Sequence, residues 1–389
     1  MTIERRWEPL PDPETVGEDL ALVAAIRDEI SHDGPIPFAR FMERALYEPG
    51  HGYYRRPAPG PGRDGDFLTA PEAHPIFGAA VGRLVEEAWE ALARPAPFTV
   101  VEHGAGTGAL AAGMLGELRA AGSPIADAIR YHPVEVEPAR LDALRDRLAG
   151  DGLHGLLVDD PGTTGAVIAN EVLDALPVHR LVGRPGGIKE LFVGVEHDGF
   201  AWLEGEPSTP QLAARLEAER VHLADGEVTE LCLALDGWLV EATTALERGV
   251  VVLVDYGAEP EDLHGTARPT GTLRAFARHA VGADPLRHVG RQDLTATVDL
   301  AAVRAAAANA GLAPVGETTQ AELLANVGTA ALTAPFLRDG DLQSAIELRS
   351  ALARLMDPRG MGGYRVLVFG RGWPTGTELT ALRRLGASG

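Results

Sequence analysis

The sequence predicts an α/β fold built on a doubly wound sheet. Three observations carry this expectation: apolar, β-branched runs alternate with helical patterns, a glycine-rich turn follows the first run, and three runs end in polar residues. The first run is Thr99, Val100 and Val101, and Gly104, Gly106 and Gly108 follow it at alternate positions before a helix begins near Thr107. Glycine lets the backbone take positive φ and lets a ligand approach the main chain, while the helix start offers unpaired N–H groups. The turn is therefore the expected centre of a nucleotide-like site.

Ahead of that turn, residues 14–30 carry apolar side chains at helical spacing and stop at Gly34 and Pro35. Phe38, Phe41, Met42, Ala45 and Leu46 predict a second amphipathic helix, ended by Pro49 and Gly50. Residues 55–65 are mostly Pro, Gly and Arg and read as a loop, and the polar-tipped stretch Gly65 to Glu72 is placed to fold over a ligand. From Ile76 to Trp89 apolar residues recur every three or four positions, which predicts a long core helix.

After the turn, a helix over 107–121 leads to a second strand over 130–136 and then to a helix over 138–149, where Pro138 occupies a first-turn position that tolerates it. A third strand starts at Ala166 and ends in Asn170, Glu171 and Asp174. Runs at 189–195 and 200–203 flank His197, Asp198 and Gly199 and predict a hairpin outside the main alternation. Helices are expected over 211–221 and 231–246, the latter carrying Cys232 on an apolar face with Leu231 and Leu235. Val250 to Val254 is the clearest buried strand, with Asp255, Tyr256 and Gly257 at its crevice end. A loop over 258–269, a polar insertion over 271–299, an alanine-rich helix over 303–311, a helix-rich section to Met356 and a last strand over 364–369 complete the chain.

Gly104, Gly106 and Ala109 also satisfy the dinucleotide fingerprint, so a nicotinamide or flavin site stays open. Glu102 favours a different ligand. A carboxylate two residues before the first glycine holds a cationic amino group and repels a pyrophosphate, which suits the methionine moiety of S-adenosylmethionine. Glu135, near the end of the second strand, is placed for ribose hydroxyls, with Glu137 as the competing acid. Asn170, Glu171 and Asp174 are candidates to meet the substrate, although Asn and Asp also favour helix caps.

Composition narrows the classes further. Hydrophobic residues at 45% and charged residues at 23% describe a globular protein, and no apolar run is long enough to cross a bilayer. The first nine residues lack the apolar core of a secretory signal and contain acids unlike a transit peptide, so a cytoplasmic location is expected. With one cysteine, neither an internal disulfide nor a cysteine-based metal site is available, and the twelve histidines show no zinc spacing, so no metal is expected. A formal net charge of −21 disfavours nucleic acid and anionic membranes as partners and attracts cationic substrates.

Taken in order, these motifs resemble the MidA-like methyltransferases, a bacterial and mitochondrial family that includes a complex I assembly factor with protein arginine methyltransferase activity. The similarity runs from Gly34-Pro35-Ile36 through Phe41-Met42, Ala45 to Tyr47, Gly52 to Tyr54, Gly65 to Phe67 and Thr69 to Glu72. It continues through Glu102 to Gly108, Asn170-Glu171, Asp174 to Val178, Asp255 to Gly257, Gly271 to Arg274, Asp293 to Thr295 and Val298-Asp299. Two departures are Ala105, where family members often have proline between the glycines, and the proline-rich stretch from Arg55 to Arg63.

The resemblance implies a class I methyltransferase (Rossmann-like) fold with a mostly parallel seven-stranded sheet whose last strand is antiparallel. It implies an N-terminal helical segment and lid over 1–95, and a core over 96–389 with hairpin and helical insertions at about 178–248, 258–298 and 320–357. The implied activity is methyl transfer from S-adenosyl-L-methionine to an arginine guanidinium of a protein. In that frame Glu102 takes the cofactor's amino end, Gly104, Gly106 and Gly108 allow backbone approach, and Glu135 takes the ribose. Asn170 belongs to the same cofactor set, and Asp66, Phe67 and Thr69 close over it. Glu171 is expected to hold the guanidinium with Asp174 assisting. Asp255, Tyr256, Arg274 and His279 divide evenly between substrate contact and structural hydrogen bonding. A small-molecule N- or O-methyltransferase and a non-catalytic assembly protein that binds the cofactor are the competing readings.

Overall fold

The computed structural model of the chain describes residues 17–56, 68–197, 199–277, 280–281, 284–337 and 342–384. Asp66 and Phe67, expected in the lid, and His279 lie outside the described residues. The central sheet contains β1 (Phe98–His103), β2 (Ile129–Val134), β3 (Thr164–Asn170), β4 (Arg248–Asp255), β5 (Ala313–Thr319) and β6 (Arg365–Arg371). Their spatial order is β5-β6-β4-β3-β1-β2. The neighbours among β1 to β4 pair in parallel, whereas β6 runs antiparallel to both β4 and β5.

The sheet is therefore mixed and six-stranded, and the last strand is antiparallel as expected. No seventh strand is found among the described residues. Outside β2 there is only a parallel bridge between Tyr131 and Leu157, with the Val158 N–H donating to the Tyr131 carbonyl at 3.0 Å. Asp159, Asp160 and Pro161 follow at once, and these residue types do not sustain a strand.

Helices cover both faces, as a parallel core requires. α1 (Leu20–Asp33) and α2 (Phe38–Tyr47) precede α3 (Ile76–Ala91), α4 (Ala109–Ala120), α5 (Pro138–Gly150) and α6 (Leu300–Asn309). One hydrophobic cluster joins α3, α4 and α5 to Val250, Val252 and Val254 of β4. A second joins α6 to Val251 and Leu253 on the opposite face. Because β4 alternates between the two clusters, its whole apolar run is buried, which explains why it reads so clearly in the sequence.

α1 and α2 belong to a third cluster with Tyr53, Val178, Val193 and Leu294, which seats the N-terminal segment over the crevice end of the sheet. Glu29 of α1 accepts from Arg40 at 2.8 Å and also pairs with Arg44, so the two helices are tied by charge as well as by packing.

The expected hairpin is present as Gly187–Glu196 and Gly199–Gly205. It belongs to a second, antiparallel sheet completed by Ile36–Pro37, His179–Arg184 and Val228–Leu231. The expected helix over 231–246 is shorter, Ala234–Ala242, because residues 228–231 pair with residues 179–182 instead. Cys232 thus sits at a strand-to-helix junction, where burial pushes its thiol up to about 11. No described helix is long and apolar enough to cross a membrane.

Candidate active site

Parallel pairing brings the carboxyl ends of β1, β2 and β3 to one edge, where a cavity of about 530 Å³ opens. Glu102 lines it at 3% exposure, and its Oε2 accepts a hydrogen bond from the Tyr131 hydroxyl at 2.7 Å. Burial pushes the Glu102 pKa up to about 8; the Tyr131 hydroxyl pulls it down and the charge of Glu135 adds to the rise. A cation brought beside Glu102 would restore its ionised form.

The glycine turn divides its labour. Gly104 and Gly106 have φ of 67° and 53°. At Gly104 a Cβ would lie 2.7 Å from Val172 Cγ2, whereas the nearest atom to a Cβ at Gly106 would be 4.0 Å away, leaving a cradle of open space. Gly108, with φ of 81°, is set back from the cavity beneath Leu144, 2.8 Å from where a Cβ would stand. Glu135 lines the cavity, its Oε2 accepting from the Gly106 N–H at 2.8 Å and its Oε1 from the Glu137 N–H at 3.0 Å. Glu137 instead caps α5, accepting from the Ala139 N–H at 3.3 Å.

Thr69 and Glu72 reach the cavity from the lid side, where the Thr107 hydroxyl donates to Glu72 Oε1 at 3.0 Å. Asn170 donates to Glu171 Oε1 at 3.1 Å, while its own Oδ1 is buried without a hydrogen bond and awaits a donor. Six glutamates, Glu43, Glu72, Glu102, Glu135, Glu171 and Glu241, are among the residues that line this cavity. Arg140 is the one Lys or Arg among its described lining residues. Its buried Nη2 has no hydrogen bond, and its guanidinium lies 5.8 Å over the Tyr54 ring. Such a cavity rejects a pyrophosphate and fits a ligand that carries an ammonium, a sulfonium, two ribose hydroxyls and one carboxylate.

Glu171 also lines a second cavity of about 450 Å³, whose other walls include Asp174, Tyr256, Arg274, Asp293 and Tyr364. Glu171 takes a left-handed φ of 52°, and its Oε1 is held by the Ala70 N–H at 3.0 Å as well as by Asn170. Burial raises its pKa to about 7, opposed by the Ala70 hydrogen bond and aided by the Asp174 charge. Asp174 is raised to about 6 by burial, against the neighbouring Tyr256 hydroxyl. These pKa values place both carboxyls where small environmental changes switch their charge.

Asp255 does not line either cavity. Its Oδ2 accepts from the Leu173 and Asp174 N–H groups at 2.9 and 3.2 Å, and its Oδ1 from the Tyr256 N–H at 2.9 Å, so it fixes the 3₁₀ turn Leu173–Ala175 that presents Asp174. Tyr256 and Arg274 line the second cavity. Tyr47, Tyr54, Arg140 and Trp238 line the first cavity and Asp293 the second, although the sequence predicts no role for any of them. Tyr47 donates to the Ala175 carbonyl at 3.0 Å and Tyr54 to Asp293 Oδ1 at 2.8 Å, so α2 and the turn after it brace the site from above. The adjacent aromatic residues Tyr53 and Tyr54 were the available signal; Arg140 and Trp238 read only as helix residues.

Residues 80–318 match the family model described as "Putative S-adenosyl-L-methionine-dependent methyltransferase". A Drosophila melanogaster protein, the mitochondrial protein arginine methyltransferase NDUFAF7 homolog, is 31% identical over 374 residues, covering 88% of this chain and 83% of its own. The human protein arginine methyltransferase NDUFAF7, also mitochondrial, is 29% identical, with 91% and 83% covered. The crystal structure of a Burkholderia thailandensis protein bound to S-adenosyl-homocysteine has 33% identity and a TM-score of 0.84, covering 96% of this chain and 97% of its own. The cytoplasmic expectation is overturned by the relatives from fly, mouse and human, all of which are named as mitochondrial. The acids near Met1 bear on one kind of leader segment and carry no information about the compartment in which a family works. The match over more than half of the chain, together with these relatives, shows that the chain belongs to the S-adenosyl-L-methionine-dependent methyltransferases and that S-adenosyl-L-methionine is its cofactor.

Proposed function

We propose that the enzyme methylates an arginine guanidinium of a protein, with the cofactor in the first cavity and the guanidinium entering through the second. The observation that carries this reading is that Glu171 belongs to the walls of both. The names of the fly and human relatives support the choice of acceptor.

The cofactor supplies a methyl group already activated by its sulfonium. Glu102 holds the amino end, Glu135 the ribose, and Gly104 and Gly106 admit close backbone approach, while Gly108 lets α4 start against Leu144. Asn170 offers its Oδ1, Arg140 takes the carboxylate, and Thr69 closes the entrance. With Oε1 of Glu171 held by Ala70 and Asn170, Oε2 is the oxygen left for the acceptor. A carboxylate there orients the guanidinium by charge-assisted hydrogen bonds and takes the proton that the methylated nitrogen loses; a pKa near neutrality suits that base. Asp174 supplies the second negative charge. The lid role of residues 1–95 and the core role of 96–389, with insertions at 178–248, 258–298 and 320–357, belong to the same proposal.

Arg268, Arg274 and Arg359 also line the second cavity and favour a second reading, a small acceptor bearing a carboxylate. Tritiated-methyl transfer to fractionated lysate separates the two. Label recovered as methylarginine after acid hydrolysis of protein, and lost in Glu171→Gln, supports the first reading. Label confined to the metabolite fraction supports the second.

A further inference from the structure

Behind the turn that carries Asp174, three side chains from separate elements converge. Glu219 follows the helix Pro210–Ala218, His264 lies after β4, and Asp299 caps α6. Their ligand atoms all lie within 4.8 Å of one another. His264 Nε2 is 3.4 Å from Asp299 Oδ2 and 3.9 Å from Glu219 Oε2. The 3.4 Å contact is a long hydrogen bond, whereas a tight charge-assisted one would close to about 2.8 Å. Two ligands each about 2.1 Å from a shared cation stand roughly 3–4 Å apart, and both distances from His264 Nε2 fall in that range.

A second, independent observation points the same way. The Glu219 side chain is only 7% exposed, and its buried Oε2 makes no hydrogen bond. Its other oxygen faces Arg215 at 3.7 Å, and Arg215 is itself committed to Asp236 at 2.6 Å. On the far side of the imidazole, Nδ1 pairs with the Thr229 hydroxyl, which fixes the ring and leaves Nε2 facing the carboxylates. Metal-bound histidines are held in this way by an outer partner. Asp299 uses Oδ1 to accept from the Ala302 N–H at 3.0 Å, leaving Oδ2 to the cluster.

We propose that Glu219, His264 and Asp299 form a structural site for a divalent first-row transition ion of the zinc type, with water completing its shell. One imidazole and two carboxylates suit such an ion, whereas calcium asks for six to eight oxygens. Cys232 borders the same small cavity, but its sulfur is not among the ligand atoms that converge. The ion fastens the second sheet, through Thr229, to α6 of the core. Leu173 of the catalytic turn borders the same cavity, so the clamp lies directly behind the acceptor carboxylates. The ligands are 45 and 35 residues apart, which is why no zinc spacing is visible in the sequence.

The test uses the full chain, stripped with chelator, desalted and titrated with Co²⁺ alone while the visible absorption is read; Zn²⁺ stoichiometry is then measured by mass spectrometry. One ion per chain, with Glu219→Gln and His264→Gln weakening affinity at least about 10-fold and Thr229→Val by about 10–100-fold, supports the site. Failure of the wild-type chain to bind stoichiometrically overturns it, as does undiminished binding in Glu219→Gln or His264→Gln. If either variant fails to fold by circular dichroism, Thr229→Val decides, because it keeps all three ligands; unchanged affinity there also overturns the proposal.

Discussion

Glu102→Gln preserves side-chain volume and an oxygen for the Tyr131 hydroxyl, but removes the charge proposed to meet the cofactor's amino group. A buried hydrogen bond to a charged group contributes about 1.5–3 kcal/mol. Ionising a carboxyl of pKa about 8 at pH 7 costs about 1.4 kcal/mol. The net loss in the variant is therefore only about 0–1.6 kcal/mol at pH 7, a weakening of at most about 15-fold. Proton release is the sharper readout. Wild-type Glu102 is about 90% protonated at pH 7, so cofactor binding expels about 0.9 of a proton from it. Calorimetry of S-adenosyl-L-methionine binding in two buffers of different ionisation enthalpy measures that number directly. Glu102→Gln is expected to lose this component, and the rise of wild-type affinity from pH 6 to 8 should flatten in the variant. Equal proton release by wild type and variant would refute the reasoning. Stability gives a signed control. The folded pKa of Glu102 lies above its unfolded value, so its stabilising contribution is complete below about pH 4.5 and is lost as pH rises through about 8. The ligand-free wild type should therefore lose thermal stability over that window relative to Glu102→Gln.

Glu171→Gln should lower kcat/KM for transfer by about 10²–10⁴-fold while leaving cofactor affinity within a few fold, as read by tritium transfer beside calorimetry. Because Glu171 titrates at about 7 and Asp174 at about 6, transfer to a cationic acceptor should rise between pH 6 and 7.5; a flat wild-type profile there would remove both groups from the chemistry. Gly106→Ala must carry φ of 53° and fills the open cradle, so it should cost about 1–2 kcal/mol of stability in a thermal melt and weaken S-adenosyl-homocysteine binding. Asp255→Asn loses an acceptor for one or more of the Leu173, Asp174 and Tyr256 N–H groups; transfer should fall with cofactor affinity intact, and a normal rate would disconnect the 3₁₀ turn from the reaction.

What could be read from the sequence was whatever burial imposes on residue type. Val250 to Val254 must be apolar on both faces, and Gly104 and Gly106 must sit at positive φ, so β4 and the turn announce themselves. β5 was missed, and the section after residue 311 read as helical, because Ala313–Thr319 is a sheet edge with mostly exposed or half-buried side chains and no apolar alternation. Of the strand Val228–Leu231, only Leu231 falls within an expected helix and the other three residues in no expected element, because four residues are too few to show a period. Glu135 could be preferred over Glu137 only by spacing from the glycines, whereas the backbone gives one acid the Gly106 N–H and makes the other a helix cap. Tyr47, Arg140 and Asp293 meet the site through contacts between distant segments, which no local pattern encodes.

β6 lies between β4 and β5 although it follows both in the chain, and this fixes an order of events on the ribosome. The residues proposed to hold the cofactor on the strand ends, Glu102, Glu135 and Asn170, emerge with β1 to β3, so that half of the pocket can assemble early. β4, the most apolar strand, then waits with one edge unpaired until residues 365–371 arrive. About 110 residues separate them, roughly 5–25 s of synthesis at ordinary rates. During that interval the nascent chain presents an open valine-rich edge. A holding chaperone therefore has a defined target, and a stall in translation after residue 255 has a defined hazard.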